Sequence, residues 1–277
     1  MPIQSLHMLI TLALLLAAML YPFLPGRYDA LAVPVSTLMQ LLGAGGTVLL
    51  APIGIAWLVY ERRGAKPRSG AWALAAVVAA GLLAVLLCVA AYALSGVLLA
   101  VAFAIAALLP LQRLARLRTG VGAAEAVTAA RYMALLPLAL LAAQLMLAGP
   151  LTQASRARGI ANSAELLDAI EAYHAAHGAY PASLAAVWQD YAPGVVGISR
   201  YFYAAKGAGF NLFFEQPRFI LDNFGARELV VYNPLGEHSM ISHDSWILLL
   251  GPSRVESTPG WFQVNDAGEG WRYFWFD

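Results

Sequence analysis

Two histidines near the end of a predicted helix have a spacing that could do chemistry. His174 and His177 lie three positions apart, so they share one helix face, and Glu171 lies one turn before His174. Two imidazoles at this spacing bind a metal if a third ligand converges on them. Histidines near a helix C-terminus also interact favourably with the helix dipole without any ligand. We interpret the pair as structural and predict no metal site here.

A second group of polar residues lies in a predicted loop, Gly236–Asp244. It contains His238 and the run Ser242-His243-Asp244, which has the composition of a catalytic triad. Adjacent residues point in different directions, whereas a triad needs residues brought together in space. The sequence therefore predicts no catalytic residues here, and a metal-binding or ligand-binding loop stays open as the alternative.

The C-terminal segment carries an acidic turn and an aromatic run. Asn265–Gly270 lacks the spaced acidic ligands of an EF-hand loop, which favours a plain hairpin turn. In the following run, Trp271, Tyr273 and Trp275 alternate with Phe274 and Phe276, so both faces of a strand would be apolar. We predict a core strand, with a partner-docking or membrane-surface strand as the alternative.

Composition excludes several classes of function. The net charge of +1, without a basic cluster on a soluble segment, argues against nucleic-acid binding. The single cysteine, Cys88, rules out an intramolecular disulfide framework and any multi-cysteine zinc site. We expect no cofactor and no metal.

The distribution of charged residues predicts five membrane spans. Of the residues, 60% are hydrophobic and 12% are charged, whereas soluble domains have about 25% charged residues. Four long stretches contain no Asp, Glu, Lys or Arg, and the third of them, 71–112, is long enough for two spans with a turn at 93–96. The predicted spans are residues 6–24, 35–57, 72–92, 97–111 and 132–149 of a transmembrane region that covers residues 1–150.

The basic residues predict the orientation of these spans. Residues 1–150 contain nine Lys/Arg and three Asp/Glu, a net +6, and residues 151–277 contain eight and thirteen, a net −5. Eight of the nine basic residues lie in two loops, 62–68 and 113–131, and only Arg27 lies in the loop after the first span. Because cytoplasmic loops carry the excess of Lys and Arg, we expect a cytoplasmic N-terminus and an outer C-terminal region.

Few polar residues lie inside the predicted spans. We interpret His7 as a boundary residue at the cytoplasmic end of the first span. We predict that Gln40 and Gln144 form hydrogen bonds between helices. Gly43–Gly46, together with Gly54, gives the second span a small-residue face for close helix packing. Pumps and proton relays need ionisable groups deeper in the bilayer, so these spans give transport no positive support.

Residues 151–277 read as a separate α+β domain. A capping-box pattern at Asn162–Glu165 begins a helix that Gly178 ends. Short β-type runs follow, and one helix packed on an antiparallel sheet is the natural arrangement. The predicted strands are 200–205, 210–215, 218–221, 228–232, 245–249, 261–264 and 271–276.

This arrangement resembles the globular part of type IV pilins and type II secretion pseudopilins. The resemblance rests on a helix ending Tyr173-x-x-x-x-Gly178-x-Tyr180-Pro181, then Leu184, then a hairpin with Tyr201, Tyr203, Phe210 and Leu212, and it covers about residues 132–216. In that family a membrane helix continues into a soluble domain and packs on an antiparallel sheet.

The resemblance implies a pilin-like domain held at the membrane surface. It does not extend to a processed pilus subunit, because four spans precede the last one. Gly120 and Glu125 have the spacing of a pilin peptidase site, but Arg131 interrupts the apolar stretch after them, and no pilin-like cysteine pair is present.

The leading hypothesis from the sequence is a non-enzymatic protein of the bacterial inner membrane. Its lipid-embedded helices would present the pilin-like domain outside the cytoplasm, to a protein partner or another ligand, in a scaffolding, assembly or sensing role. One alternative is a membrane-bound enzyme that uses the histidines between residues 174 and 243 at the outer surface. Another is an accessory subunit of a transporter.

Overall fold

The computed structural model describes residues 3–63, 69–119, 123–187, 190–206, 209–223, 227–236, 239–242, 246–249 and 264–276. Across these residues the chain is mostly helical and ends in an antiparallel sheet. It divides into two compact units. The first is formed by Met1–Tyr21 with Leu31–Leu147, and the second by Pro22–Ala30 with Ala148–Asp277.

The first unit is built from long apolar helices. In the described part of the chain, five helical segments are long and apolar enough to cross a membrane, as many as the spans predicted. The helices are α1 (Ile3–Leu20), α2 (Ala32–Leu49), α3 (Ala51–Arg62), α4 (Ser69–Ser95), α5 (Val97–Arg116) and the first part of α6 (Ala123–Ala161).

Two predicted spans differ in extent from the observed helices. The second predicted span, 35–57, is two helices that meet at Leu50, because Pro52 cannot donate a backbone hydrogen bond and therefore begins a new helix. The last predicted span, 132–149, is only the middle of α6, which continues through Gly149, Pro150 and Gly159. A proline removes a single donor from a helix, and here the helix continues through it.

Glycines bring the second predicted span close to α6, as the small-residue face predicted. A Cβ atom at Gly43 would lie 3.0 Å from the Cβ of Leu140, and one at Gly46 would lie 2.9 Å from the Cβ of Pro137. At Gly54 the approach is closest, with a Cβ only 2.7 Å from the Ala130 carbonyl oxygen. The backbones of these helices are therefore in contact along both α2 and α3.

The second unit contains a five-stranded antiparallel sheet in the order β1-β2-β3-β7-β6. Its strands are β1 (Phe202–Lys206), β2 (Gly209–Gln216), β3 (Arg227–Tyr232), β6 (Val264–Gly268) and β7 (Trp271–Phe276). A separate two-stranded sheet pairs β4 (Ser239–Ser242) with β5 (Trp246–Leu249). The helical part is the end of α6, then α7 (Ala164–His177), and a short helix α8 (Ile220–Asn223) precedes β3.

The core of the second unit lies where α7 meets one face of the five-stranded sheet. Leu166 and Ile170 of α7 are fully buried against Leu212, Phe214 and Val230 of the sheet. These strand residues share a face because Leu212 pairs with Tyr232 and Phe214 with Val230. The predicted helix on an antiparallel sheet is therefore present.

Three local predictions in this unit were wrong. The predicted strand 218–221 overlaps α8, where Arg218 and Asp222 form an i,i+4 ion pair of 2.6 Å. The predicted loop 236–244 contains β4, and the predicted turn at 265–270 is mostly β6, with only residues 269–270 left as the turn. Residues 261–263 of another predicted strand lie outside the described residues.

The predicted capping box does not form, although the helix boundaries it indicated are close to those observed. The hydroxyl of Ser163 donates to the Ile160 carbonyl, and the amide of Asn162 donates to the Pro193 carbonyl, so neither side chain caps α7. The predicted stop is confirmed, since Gly178 adopts the left-handed conformation (φ 71°) at the C-cap.

Candidate functional site

The two histidines of α7 stack on tyrosines and do not converge. The ring of His174 lies 4.1 Å from that of Tyr180, and the ring of His177 lies 4.0 Å from that of Tyr173, both nearly parallel. The carboxylate of Glu171 accepts a hydrogen bond of 3.2 Å from the Tyr180 hydroxyl. Among the residues that the structure describes, no three possible ligands are grouped around a metal position.

These rings form one partly exposed surface, which we call the α7 aromatic surface (Tyr173, His174, His177 and Tyr180). Tyr180 also packs edge-on against the buried ring of Phe210, at 4.9 Å. Stacking in pairs, together with this contact to the core, holds the rings in fixed orientations. The surface is therefore an area of preorganised aromatic side chains.

The tyrosines behind this surface are hydrogen-bond donors. The Tyr203 hydroxyl donates to the Pro181 carbonyl at 2.9 Å, and burial, assisted by the Tyr180 and Glu171 charges, raises the pKa of Tyr203 to about 12. Burial also raises the pKa of Tyr201, whose hydroxyl donates to the Gly159 carbonyl at 2.5 Å. Both phenols are therefore neutral at physiological pH and tie loops and α6 to the sheet.

The other polar groups considered in the sequence lie near the C-terminus. His238, His243 and Asp244 lie in parts of the chain whose side chains are outside the described residues. In the acidic turn, the Asp266 carboxylate pairs with Arg272 at 2.6 Å and accepts the Gly268 N–H at 3.1 Å. These bonds are those of an ordinary β-hairpin end; the predicted hairpin is present, although its turn is shorter than predicted.

The aromatic C-terminal strand is part of the sheet interior. β7 lies between β3 and β6, and Trp271 and Phe274 are buried on its opposite faces. This confirms the prediction of a core strand with two apolar faces. Trp275, at the end of the same face as Trp271, has a different role because it donates a hydrogen bond to a buried carboxylate.

That carboxylate, Glu228, is the centre of a charged cluster that the sequence did not reveal. Its side chain is fully buried, and the side chains of Arg156 and Arg218 are 11% and 5% exposed. One carboxylate oxygen accepts a hydrogen bond of 2.8 Å from Nε of Arg156 and lies 2.6 Å from Nη2 of the same guanidinium. The other oxygen accepts a hydrogen bond of 2.8 Å from Nε1 of Trp275 and lies 3.2 Å from Nη1 of Arg218. We call these four residues the Glu228 cluster.

The Glu228 cluster joins the end of α6 to three segments of the sheet region. The guanidinium of Arg156 lies 3.8 Å from the centre of the Tyr273 ring, and that of Arg218 lies 4.1 Å from the centre of the Trp275 ring. Because both carboxylate oxygens are already engaged, the group is suited to hold structure and not to accept a substrate proton. Removing one partner would leave a buried charge uncompensated.

In the first unit, buried polar side chains connect three helices. Gln40 and Gln144 are each only 1% exposed, and the Gln144 amide donates to the Gln40 carbonyl oxygen at 3.3 Å. The Gln40 amide donates to the Ser36 hydroxyl at 3.1 Å, and Ser36 in turn donates to the Met19 carbonyl. The prediction of interhelical hydrogen bonding is confirmed. Nδ1 of His7 lies 2.5 Å from the hydroxyl oxygen of Tyr132.

The loop between α1 and α2 forms part of the second unit, which no pattern in the sequence predicted. We call residues 22–30 the strap. Its backbone pairs with residues 194–197 through four hydrogen bonds of 2.8–3.0 Å, around a β-bridge between Pro25 and Val195. The ring of Phe23 stacks on that of Phe219 at 4.3 Å with an interplanar angle of 5°. The domain is thus assembled from two distant chain segments.

Comparison of this chain with protein-family models, with curated proteins and with solved structures finds no match in any of the three. Function must therefore be inferred from the surfaces and clusters of the molecule itself. The α7 aromatic surface is the candidate for binding, because its rings are both ordered and partly exposed. The Glu228 cluster and the strap are the features that hold the domain together.

Proposed function

We propose that this chain is a bacterial inner-membrane protein that presents its C-terminal domain outside the cytoplasm to a protein partner. Five helical segments long and apolar enough to cross a membrane support the membrane location. The excess of basic residues in 62–68 and 113–131 supports a cytoplasmic N-terminus. Lipid would then cover the side chains that α4 and α5 expose, such as Val89, Leu98 and Leu109.

The strap supports the number of spans, though not their orientation, by an independent argument. The strap and residues 148–277 belong to one compact unit, so they must lie on the same side of the membrane. The chain must therefore cross the membrane an even number of times between residues 30 and 148. The α2–α3 pair, α4, α5 and α6 give four crossings, which satisfies this requirement.

A pilin-like domain is the fold that we propose for the outer region. The helix that leaves the membrane continues as residues 148–161 of α6, and α7 then packs on the antiparallel sheet. The β1–β2 hairpin follows α7, in the order that the resemblance to pilins implies. In this proposal the domain works as a binding module on a fixed anchor and not as a filament subunit.

The α7 aromatic surface is the observation that carries the proposal of partner binding. Aromatic side chains are enriched at the centres of protein interfaces, where they supply large contact area at low entropic cost. Here the rings of the pairs His174–Tyr180 and His177–Tyr173 are already stacked on each other. A partner would therefore gain contact area without ordering these side chains.

Site-specific photo-crosslinking tests this proposal in native membranes. A photoreactive amino acid at His177, which is exposed, should give a crosslinked adduct of one discrete mass, and Tyr173→Ala should weaken that adduct. The same amino acid at Asp168, exposed elsewhere on α7, is the matched control and should give little adduct. Equal crosslinking at the two positions, or none at His177, would argue against a partner on this surface.

A further inference from the structure

We infer that the strap couples the C-terminal domain to the first two helices. A displacement of the domain on binding its partner would then move α1 and α2 as well as α6. This inference rests on the proposed function, because it assumes that a partner acts on the domain. The observations that carry it are the strap's backbone pairing, its buried side chain and the short chain connections at its two ends.

The pairing of the strap is centred on one isolated antiparallel bridge, between Pro25 and Val195. The N–H of Gly26 donates to the Gly194 carbonyl and the N–H of Val196 donates to the Leu24 carbonyl, both at 3.0 Å. These bonds flank Pro25 and Val195, which therefore form a non-hydrogen-bonded pair. A proline fits at such a position because its missing N–H is not needed.

Side-chain packing fixes the strap further. Phe23 is 4% exposed and lies face to face with Phe219. At Gly197 a Cβ atom would lie 2.7 Å from the Pro22 carbonyl oxygen, so the two backbones are too close to admit a side chain. The strap is therefore packed as part of the domain.

The chain segments that connect the strap to α1 and α2 are very short. Helix α1 ends at Leu20, and the carbonyl of Pro22 already accepts the Gly197 N–H at 2.8 Å. At the other end, the Asp29 N–H donates to the Val196 carbonyl at 3.0 Å, and α2 begins at Ala32. A fully extended chain spans at most about 3.3–3.6 Å per residue, so the one residue before Pro22 and the two between Asp29 and α2 cannot absorb a large displacement.

A disulfide tests whether the strap is paired in the membrane-embedded protein. Cα atoms of non-hydrogen-bonded pairs lie about 4.5 Å apart, within the range of about 4.4–6.8 Å that disulfides need. Pro25→Cys with Val195→Cys, in a Cys88→Ala background, should therefore oxidise spontaneously in the full-length protein in nanodiscs. Failure of the bond to form under oxidising conditions would overturn the inference.

Hydrogen exchange then tests the coupling itself. Phe23→Ala should loosen the strap and speed amide exchange in the last turn of α1 and the first turn of α2 at least about tenfold, because a buried phenyl ring is lost. Adding the disulfide between positions 25 and 195 to that variant should restore slow exchange at both helix ends. Leu235→Ala, which truncates an exposed side chain of the same unit, should leave exchange unchanged.

Faster exchange in the strap alone, with the ends of α1 and α2 unaffected, would show that the strap is not coupled to the helices. The same conclusion would follow if the disulfide did not reverse the effect of Phe23→Ala. Crosslinking at His177 reports on partner binding whether or not the strap is coupled. A failure of the coupling is therefore distinguishable from a failure of the proposed function.

Discussion

At the scale of single residues, the fully buried carboxylate of Glu228 is held by three polar side chains. It accepts hydrogen bonds from Arg156 and Trp275 and pairs with Arg218. A buried ion pair contributes little compared with an apolar replacement of both partners, but breaking it leaves an uncompensated charge. The cluster is therefore expected to be sensitive to any change that removes one charge.

Glu228→Gln should destabilise the protein by about 3–5 kcal/mol, because the largely buried guanidinium of Arg156 loses its carboxylate partner, whereas Arg218 keeps Asp222. Denaturant unfolding in detergent micelles, followed by tryptophan fluorescence, measures this difference. Glu165→Gln is the matched control, since Glu165 is exposed in the first turn of α7 and should contribute at most about 1 kcal/mol through the helix dipole. Similar losses for the two variants would contradict the importance of the cluster.

The tyrosines predict how stability depends on alkaline pH. Unfolded tyrosine loses its proton near pH 10, whereas Tyr203 in the folded domain keeps its proton up to about pH 12. The folded state therefore binds more protons between these values, so stability falls as the pH rises from about 10 to about 12. Below pH 10 this contribution is fully present.

Tyr203→Phe should make the loss of stability between pH 10 and 12 shallower, although the variant is less stable at neutral pH because it lacks the bond to Pro181. The unfolding midpoint measured as a function of pH checks this. Tyr28→Phe removes an exposed phenol, 51% accessible, and should keep the wild-type slope. An unchanged slope in Tyr203→Phe would show that its phenol is not protected by burial.

Part of the residue-level pattern could be read from the sequence. The hydrogen bonding of Gln40 and Gln144 between helices could be predicted, because an isolated polar side chain in an apolar span needs a hydrogen-bond partner. The Glu228 cluster was missed although a signal existed, since Glu228 shares its strand face with Val230 and Tyr232 and so points towards the core. Its arginine partners come from distant segments, and no local spacing predicts them.

At the scale of elements, close contact between α3 and α6 depends on a glycine. A Cβ at Gly54 would lie 2.7 Å from the Ala130 carbonyl oxygen and 2.8 Å from the Ala134 nitrogen, so backbone atoms leave no room for a side chain. At Gly81 of α4, by contrast, no atom lies within 4 Å of the Cβ position. The two glycines therefore predict opposite responses to the same substitution.

Gly54→Leu should destabilise the helical unit by at least about 1–3 kcal/mol through overpacking. Gly81→Leu should be neutral or slightly stabilising, because it replaces a poor helix former without a clash. Thermal unfolding of the two variants in the same detergent compares them directly. A larger loss for Gly81→Leu would contradict the packing described for α3 and α6.

The elements themselves were largely predictable, and their boundaries were less so. The five apolar segments followed from charge-free stretches, and β7 followed from alternating aromatic residues. The break at Leu50, the uninterrupted α6 and the helix α8 depend on how proline, glycine and an Arg–Asp pair are packed, which sequence periodicity does not encode. β4 was missed because only Met240 and Ile241 are apolar in it.

At the scale of the whole molecule, the strap and the C-terminal residues form one unit although the helices lie between them in the chain. Sequence reasoning predicted the C-terminal domain, but not the strap. The reason is physical, because backbone hydrogen bonds and one buried phenylalanine leave almost no pattern in nine residues. We propose that this domain lies outside the cytoplasm on a five-span anchor.

Cysteine labelling in intact cells tests that claim most directly. Tyr28→Cys in the strap, Glu165→Cys in α7 and Glu125→Cys at the start of α6 are compared in a Cys88→Ala background, all at exposed positions. A membrane-impermeant maleimide that can cross the outer envelope should label the first two without permeabilising the inner membrane, and the third only after permeabilisation. Labelling of Tyr28→Cys and Glu165→Cys from opposite sides, or of Glu165→Cys only from the cytoplasm, would contradict the proposed topology.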